Sequence, residues 1–284
     1  MDLILNINKE KFISSFDVVR FLRRKFGEKR IGFKGTLDPF AEGVLPIFTG
    51  SFTKIIPYVD DSLKEYSFDI QLGIETDTLD VTGDVIKRMD YPNKIESDNL
   101  EEIVRVNFID EYIQKIPEFS AVKIRGVPSY KLARKGEEIE SRSKIVKIFG
   151  FTLLSADNGV ISGSIKVSPG FYVRQFASDL GRVLGTCASL SNLRRERSGF
   201  FGIEDSVGMK NANEKMSLDI RDVLGKNMKI MNISDEIAKD LKNGRSISND
   251  DTHEGLCLAL NENQSRCFIV RSSSGMIKTE RMIY

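Results

Sequence analysis

The amino-acid sequence predicts an α+β fold, because stretches with the apolar spacing of helices are interspersed with stretches that alternate like strands. The chain has 284 residues, of which 40% are hydrophobic and 29% are charged, a composition typical of a globular protein with a sizeable core. Three features carry the prediction: an amphipathic helix near the N-terminus, an alternating strand over residues 66–72, and a hairpin over residues 145–168. No apolar run approaches the length of a membrane span.

The first predicted helix begins at Ser14 or Ser15, since either hydroxyl can accept a hydrogen bond from a backbone amide of the first turn. Gly27 is expected to end the helix. The predicted apolar face consists of Phe16, Val19, Leu22 and Phe26. Three arginines point away from that face: Arg20, Arg23 and Arg24.

Strands are predicted in the middle of the chain. Over residues 66–72, large apolar and aromatic residues alternate with polar ones, which is typical of a half-buried strand with Tyr66 at its start. Over residues 145–154 and 159–168, β-branched residues run up to turn sequences at 157–159 and 168–170. These two segments predict a hairpin.

A second amphipathic helix is predicted after the hairpin. Its apolar residues repeat at helical spacing, namely Val173, Phe176, Ala177, Leu180, Val183 and Leu184. Gly185 follows as a cap. Arg174 therefore lies in the first turn, with its side chain off the apolar stripe.

The chain is predicted to divide into a larger domain, residues 1–228, and a small C-terminal domain, residues 229–284. The composition shifts near residue 207, where a polar segment begins. The elements predicted for the small domain are a helix over residues 234–242 and strands over 256–260, 266–271 and 276–284.

A glycine-punctuated loop over residues 32–47 carries Asp38. Its glycines at positions 32, 35 and 43 permit positive φ and close backbone approach, and Pro39 keeps the residue before it extended. The loop is therefore suited to hold Asp38 in one pose. The simpler interpretation is an Asx-turn, in which Asp38 caps its own backbone.

This loop resembles the signature of the TruB family of tRNA pseudouridine synthases, G-[H]-[TG]-G-x-L-D-P-x-A-x-G-x-L-P. The matching residues are Gly35, Leu37, Asp38, Pro39, Ala41, Gly43, Leu45 and Pro46. Further resemblances follow in order along the chain, at residues 8–15, 64–68, 72–80, 114–123, 170–174 and 193–195. The chain departs from the family pattern at Phe33 and Lys34, where most members have a histidine, and at residues 8–15, which lack its proline and glycine.

The resemblance implies a pseudouridine synthase fold, with a mixed, mainly antiparallel sheet flanked by helices and a small, β-rich, PUA-like C-terminal module that binds RNA. It implies an isomerase that acts on the T-loop uridine of tRNA, position 55 in tRNA numbering. The base is flipped out of the RNA, and its C–N glycosidic bond is exchanged for a C–C bond. This chemistry demands no metal and no cofactor.

In this resemblance, Asp38 matches the catalytic aspartate. It can act as a nucleophile or as a base, and the sequence leaves that choice open. Arg174 matches the arginine that orients the carboxylate and favours its ionised form. Tyr66 matches the tyrosine that stacks on the target base and takes the C5 proton.

The residues expected to bind the substrate are Phe33, Lys34, Tyr172, Leu193, Lys9, Arg194 and Arg195. Phe33 can supply a stacking surface in place of the family's histidine. Leu193 is explained nearly as well as a core residue of an amphipathic helix. For Lys9, a packing or positioning role is preferred over a chemical one.

The distribution of charge indicates an RNA partner, although the formal net charge is only +1. Basic residues cluster at Arg20, Arg23, Arg24, Lys25, Lys29, Arg30 and Lys34, at Lys123, Arg125, Lys131, Arg134 and Lys135, and at Arg194, Arg195 and Arg197. One such cluster is equally well a solvated helix face. Three clusters beside the candidate segments predict a phosphate-binding surface.

Cysteine and histidine usage argues against other classes of site. Three cysteines without a C-x-x-C pair disfavour a disulfide framework and a cysteine zinc site. The single histidine disfavours histidine triads and most histidine metal sites. The first ten residues lack the basic head and apolar stretch of a signal peptide, so a cytoplasmic protein is expected.

We expect a monomer that binds the T-arm of tRNA without an obligatory protein partner. Two alternatives stay open. One is a related synthase of the guide-RNA type, which would need protein partners and normally a fuller PUA domain. The other is an RNA-binding or tRNA-folding protein that keeps the fold without turnover.

Overall fold

The computed structural model describes residues 1–91, 97–120, 122–124, 126–133, 135, 141–249 and 253–284. The helices in these residues are α1 (Ser15–Phe26), α2 (Ser97–Phe108), α3 (Ser129–Ala133), α4 (Val173–Val183), α5 (Ile220–Leu224) and α6 (Asp235–Lys242), with a 3₁₀ helix over Gly50–Tyr58. The strands are β1 (Ile4–Lys9), β2 (Ile31–Phe33), β3 (Glu42–Thr49), β4 (Lys64–Leu72), β5 (Ile74–Thr76), β6 (Val85–Arg88), β7 (Asp110–Lys115), β8 (Lys123–Ile124), β9 (Val127–Pro128), β10 (Ser143–Asp157), β11 (Val160–Val167), β12 (Ala188–Ser198), β13 (Phe201–Gly202), β14 (Val207–Gly208), β15 (Lys229–Ile233), β16 (Ile247–Ser248), β17 (Gly255–Asn261), β18 (Cys267–Ser273) and β19 (Met276–Met282). The predicted α+β class is confirmed.

A mixed sheet, ten-stranded within the described residues, forms the centre of the larger part of the chain. Its strands follow the order β14-β1-β3-β12-β4-β11-β10-β7, with β2 paired to β3 and β13 paired to β12. The pairs β1–β14 and β3–β12 are parallel, and the other neighbours are antiparallel. The expected mainly antiparallel sheet is confirmed. Because β12 lies between β3 and β4, it brings a late segment of the chain against the loop that precedes β3.

Helix α1 begins and ends where the sequence predicts. Ser14 caps it in a capping box with Asp17, and Gly27 ends it at φ 65°. The predicted outward arginines are exposed: Arg20, Arg23 and Arg24.

The buried face of α1 differs from the prediction. Phe16 was expected on the apolar face but is 65% exposed, whereas Val18 is buried. Ser15 supplies the physical reason, because its hydroxyl exchanges hydrogen bonds of 3.0–3.1 Å with the backbone of Leu37. This contact turns Ser15 toward the loop and leaves Phe16 outside.

Strand β4 and the β10–β11 hairpin agree with their sequence patterns. The residues of β4 alternate between buried and partly exposed along its whole length, with Tyr66 two residues inside the strand. Strands β10 and β11 pair antiparallel on either side of Asn158 and Gly159, both at positive φ.

Helix α4 carries Arg174 in its first turn, as predicted, and Gly185 follows the helix at φ 76°. Its buried apolar residues are Val173, Phe176, Ala177 and Leu180. Val183 was expected on this face but is 43% exposed, at the last position of the helix and beyond its last buried residue, Gly181.

Leu193 lies on strand β12, so the alternative interpretation of Leu193 as a core residue of an amphipathic helix is wrong. The segment contains four consecutive charged residues, 194–197, and has little strand propensity of its own. Pairing with β4 along almost its whole length imposes the strand, an effect of tertiary context over propensity.

The C-terminal strands form a second sheet, five-stranded within the described residues, in the order β15-β17-β18-β19-β16. Helix α6 begins after its Ser234 cap, and the three predicted strands appear as β17, β18 and β19. The sequence pattern did not indicate β15, which begins at Lys229. The predicted domain boundary after residue 228 stays a prediction.

Three apolar clusters hold these layers together. The first lies between the large sheet and helices α1, α2 and α4, and the third between the C-terminal sheet and α6. The second joins β3 and the 3₁₀ helix to the C-terminal sheet through Val44, Phe48, Phe52, Ile55, Leu258, Leu260, Ile269 and Ile283. No helix in the described part of the chain is long and apolar enough to cross a membrane.

Candidate active site

The loop that carries Asp38 connects β2 to β3 and is closed by backbone hydrogen bonds. The Lys34 amide donates to the Pro46 carbonyl at 3.0 Å, and the Ala41 amide donates to the Asp38 carbonyl at 3.1 Å. Gly35 adopts φ 70°, a conformation that L side chains rarely adopt. The glycine pattern of the sequence therefore marks a tight, hydrogen-bonded turn.

The carboxylate of Asp38 is paired with the guanidinium of Arg174. Nε of Arg174 donates to Oδ2 at 2.8 Å, and a terminal nitrogen donates to Oδ1 at 3.2 Å. The side chain of Arg174 is 4% exposed, whereas that of Asp38 is 34% exposed. A buried, bidentate cation thus fixes the orientation of a carboxylate that still reaches solvent.

Other acceptors complete the surroundings of Arg174. Its guanidinium donates to the Thr78 carbonyl at 2.8 Å and to the Phe119 carbonyl at 3.0 Å. Oδ2 of Asp80 lies 3.6 Å from Nη1, the nitrogen that also donates to Thr78. Arg174 was predicted to be a partner of Asp38, and the structure brings the two together.

Asp80 is a member of this network that the sequence analysis did not single out. Its side chain is 5% exposed, and its Oδ1 accepts hydrogen bonds from the Thr78 hydroxyl and the Thr82 amide. The available signal was its place between two threonines in a segment that resembles the family. The local pattern alone looks like an exposed turn.

Asp38 lines a cavity of about 200 Å³. Among its lining residues are Tyr66 on β4, Leu193 on β12 and Tyr172 at the start of α4. Tyr66 and Leu193 are 7% and 5% exposed. The cavity therefore combines one fixed carboxylate with apolar and aromatic walls, which suits a flat, largely uncharged ring.

Tyr172 lies beside a second cation, Lys144. The Nζ atom of Lys144 is 4.3 Å from the centre of the Tyr172 ring and also donates to the Gly170 carbonyl. Burial raises the pKa of Tyr172 and lowers the pKa of Lys144 to about 8. Lys144 was not among the predicted site residues.

Lys9 is buried beneath the surface and bonds to the backbone of the Asp38 loop. Its ammonium donates to the carbonyls of Glu10, Ile13 and Pro39 at 2.8–3.2 Å, and the residue is fully buried. Burial lowers the pKa of Lys9 to about 8. As a substrate-contacting residue the prediction is wrong, and the geometry fits the positioning role that was preferred.

Arg195 holds the same loop from the β12 side. Its guanidinium donates to the Val44 carbonyl at 2.7 Å and to the Gly35 carbonyl at 2.9 Å. Because Arg195 is fully buried, it cannot contact RNA, and its prediction as a substrate-binding residue is wrong.

The other predicted binding residues lie at the surface around the loop. The ring of Phe33 is half-buried and meets the ring of Phe16 edge to face, with 5.5 Å between centroids. Lys34 donates to the Ile56 carbonyl at 3.2 Å. Arg194 is 43% exposed, with its Nε 3.6 Å from a carboxylate oxygen of Glu196.

The three predicted basic clusters differ in how far their residues are exposed. In the first, the residues beyond the helix arginines are also exposed, namely Lys25, Lys29 and Arg30. In the second, Arg125 and Arg134 lie outside the described residues, and so do the side chains of Lys123 and Lys131. In the third, Arg195 is buried, and Arg197 is paired with Glu204 at 2.7 Å.

The sequence matches a family model described as TruB family pseudouridylate synthase (N terminal domain) over residues 23–173. A tRNA pseudouridine synthase B from Geotalea uraniireducens is 39% identical over 216 residues, which cover 76% of this chain and 69% of that protein. A protein of the same name from Dehalococcoides mccartyi is 43% identical over 211 residues, covering 73% and 68%. Another, from Syntrophomonas wolfei, is 38% identical over 254 residues, covering 86% and 84%.

Solved structures share the fold. A chain from a Cbf5-Nop10-Gar1 complex is similar with a TM-score of 0.71 at 19% sequence identity, covering 99% of this chain and 85% of that chain. A chain from an H/ACA RNP bound to a substrate RNA containing 2′-deoxyuridine gives a TM-score of 0.70 at 17% identity, with the same coverage. At these identities the similarity concerns the fold alone.

Proposed function

The chain belongs to the TruB family of pseudouridylate synthases, and we propose that it isomerises a uridine of tRNA to pseudouridine, with the T-loop uridine at position 55 as its target. The observation that carries this proposal is the buried, bidentate pairing of Arg174 with Asp38 at the mouth of a cavity with aromatic and apolar walls. The enzyme is thus an isomerase that transfers a base within one nucleotide.

The reaction breaks the bond between C1′ of the ribose and N1 of uracil and forms a bond between C1′ and C5. The proton on C5 is removed, and a proton is gained at N1, so no redox equivalent is needed. Asp38 acts on the sugar or the ring, either as a nucleophile or as a base. Arg174 orients it through two charge-assisted hydrogen bonds.

The walls of the cavity hold the detached base while it turns. Tyr66 stacks on the uracil and accepts the C5 proton in the last step, and Leu193 packs near the flipped base. Both side chains are almost entirely buried beside Asp38, so the base turns out of contact with bulk water. Extrusion of a stacked base costs a few kcal/mol, which favours a uridine in an already strained loop.

The exposed face of α1 and Arg194 are proposed to contact the phosphates of the T-arm, because their positive charges lie on elements that adjoin the Asp38 loop. Ser15 of α1 bonds to Leu37, and β12 carries Arg194 next to Arg195, which bonds to Gly35. The C-terminal residues 229–284 are proposed to form the PUA-like RNA-binding domain. We propose that the chain acts in the cytoplasm as a monomer on tRNA, without an obligatory protein partner.

Tritium release tests this function. The substrate is a T-arm stem-loop labelled with tritium at C5 of its uridines, and binding of the same RNA is measured in parallel. The wild type is expected to release tritium, while Asp38→Asn binds the RNA but releases none. Asp84→Asn, which changes an exposed carboxylate in the loop between β5 and β6, serves as the matched control and is expected to retain activity.

A wild type that binds the stem-loop without releasing tritium would favour the second candidate, an RNA-binding protein without turnover. Retention of Asp38, Arg174 and Tyr66 in one cavity speaks against that outcome, since binding alone does not require a reactive carboxylate.

A further inference from the structure

Two exposed phenylalanines stand at the beginning of α1. Phe12 lies in the turn between β1 and α1 and is 71% exposed, and Phe16 in the first turn of the helix is 65% exposed. Aromatic side chains have large apolar surfaces, and folding usually buries them. Two such rings left in water within one short segment point to a ligand that covers them.

The backbone at Phe12 supports this interpretation. Phe12 adopts φ 62°, a left-handed conformation that is an outlier for a bulky residue and unstrained only for glycine. Strain of this kind is typical of functional sites, where it aims a side chain that packing alone would not hold. Here it directs a ring into solvent.

The segment is tied directly to the Asp38 loop. Lys9 links the turn to the loop, since it donates to the carbonyls of both Ile13 and Pro39. Ser15 bonds to the backbone of Leu37. Phe12 and Phe16 therefore stand at the rim of the loop that presents the catalytic carboxylate.

A third ring and a basic surface extend this rim. Phe33, which directly precedes the loop, meets Phe16 edge to face. The exposed arginines of α1, Arg20, Arg23 and Arg24, continue from the rings along the same helix. Aromatic rings beside a basic surface are the combination that binds unpaired nucleotides, by stacking on bases and attracting phosphates.

We propose that Phe12 and Phe16 extend the stacking surface expected of Phe33 into an aromatic platform, on which unpaired bases of the substrate RNA stack beside the uridine that enters the cavity. The platform binds the bases next to the extruded uridine and holds the opened loop. It presupposes that the chain binds a T-arm, so it rests on the function proposed above.

The test measures the Kd of the T-arm stem-loop in an Asp38→Asn background, where no turnover occurs. Phe16→Ala is expected to raise the Kd about tenfold, because stacking of one base on an aromatic ring is worth about five- to hundredfold in affinity. Phe16→Tyr keeps the ring and is expected to restore binding. In the active background, the loss appears in KM rather than in kcat.

Phe12→Gly separates stacking from structure. It removes the ring and relieves the positive φ, so the folded chain is expected to be at least as stable while its Kd rises. Leu154→Ala is the matched control, since Leu154 is equally exposed at 69% but lies on β10, away from the loop. It is expected to bind RNA like the parent.

Unchanged Kd values for Phe16→Ala and Phe12→Gly, with tritium release intact in the wild type, would overturn the platform but not the proposed function. A wild type that neither binds nor releases tritium would overturn the proposed function first. A wild-type dimer in sedimentation that Phe16→Ala converts to a monomer, with RNA affinity unchanged, would assign the rings to a second copy of the chain and overturn the platform.

Discussion

At the level of single residues, the charge of Arg174 is shared between two carboxylates. Its guanidinium makes four hydrogen bonds, to Asp38, Thr78 and Phe119, and its Nη1 also lies 3.6 Å from Oδ2 of Asp80. One cation between two anions leaves the trio of Asp38, Arg174 and Asp80 with a net negative charge. Asp80 therefore helps to hold Arg174, while the carboxylate of Asp38 stays partly exposed, as the proposed reaction requires.

Asp80→Asn tests this division of roles. The amide keeps the shape of the side chain but removes its charge from the buried network, and loss of one partner of a buried ion pair is costly. Because Arg174 loses one of its two charged partners, we expect about a ten- to hundredfold lower single-turnover rate. The Kd for RNA is expected to be unchanged, because Asp38 still pairs with Arg174. Asp84→Asn is the control, and an equal effect of both variants would contradict the assignment.

Lys9 makes the stability of the protein depend on pH in the alkaline range. Burial lowers its pKa to about 8 in the folded state, against about 10.4 in an unfolded chain. Between these values the unfolded chain binds a proton that the folded chain does not. The free energy of unfolding contributed by this group therefore increases as pH rises from about 8 to about 10.

Urea denaturation at pH 8 and at pH 10 measures that contribution. Lys9→Met lacks the titrating group, so the gain in unfolding free energy between the two pH values is expected to be smaller than in the wild type. Lys29→Met, which removes an exposed lysine, controls for the loss of charge. Equal slopes for all three proteins would show that Lys9 does not titrate in this range.

The sequence predicted the pairing of Asp38 with Arg174 better than the residues that support the pair. Asp38 and Arg174 could be identified because they lie in segments that resemble the family pattern over many positions. The burial of Lys9 and Arg195 could not be predicted, because lysine and arginine are almost never fully buried unless their charge is paired or bonded. Here backbone carbonyls supply those bonds, from the next turn and Pro39 for Lys9 and from Gly35 and Val44 for Arg195.

At the level of elements, the insertion of β12 between β3 and β4 builds the site. It places Leu193 on the cavity wall and Arg195 against the Asp38 loop. Propensity could not predict this strand, whereas β4 and the β10–β11 hairpin followed their alternating patterns. A parallel partner that arrives about 150 residues after β3 leaves no local signal.

Gly43 makes the close contact between β3 and β12 possible. It adopts φ 108°, and a Cβ atom there would lie 2.3 Å from the Arg195 carbonyl oxygen. Gly43→Ala is therefore expected to push the strands apart, lowering the free energy of unfolding by more than about 2 kcal/mol. It is also expected to lower kcat, because the Asp38 loop moves with β3.

Gly27→Ala is the matched control for backbone conformation. Gly27 also has positive φ, but a Cβ atom there would meet no heavy atom within 4 Å beyond its chain neighbours, so only the conformational cost of about 1 kcal/mol applies. Thermal unfolding and tritium release are measured for both variants, and Gly43→Ala is expected to lose more stability and activity than Gly27→Ala. Equal losses would mean that strain at φ, and not contact with Arg195, explains the requirement for glycine.

At the level of the whole molecule, the C-terminal sheet and the larger sheet share one apolar cluster. Strands β17 and β18 are buried on both faces, one toward α6 and the other toward β3 and the 3₁₀ helix. Lys54 of the 3₁₀ helix also donates to the carbonyls of Met282 and Ile283. The sequence predicted the strands of this module, but the apolar pattern could not show which surface would cover their second face.

This shared core predicts that the two parts unfold together. Ile269 on β18 faces the larger sheet, and Ile277 on β19 faces α6. Truncation of either buried isoleucine to alanine is expected to cost about 2–5 kcal/mol. Both substitutions remove the same atoms, but Ile269→Ala leaves a cavity toward the larger sheet and Ile277→Ala leaves one toward α6. Comparing them distinguishes contact between the two sheets from stability within the C-terminal part.

Hydrogen exchange of backbone amides distinguishes the two effects. Ile269→Ala is expected to reduce protection in β3 as well as in β17 and β18, because the cavity opens against Val44 and Phe48. Ile277→Ala is expected to lower protection mainly within the C-terminal sheet. If Ile269→Ala leaves β3 fully protected and unfolding proceeds in two separate transitions, the C-terminal part folds independently of the larger sheet. A single transition, with lower tritium release in Ile269→Ala, would mean that the module supports the Asp38 loop through β3.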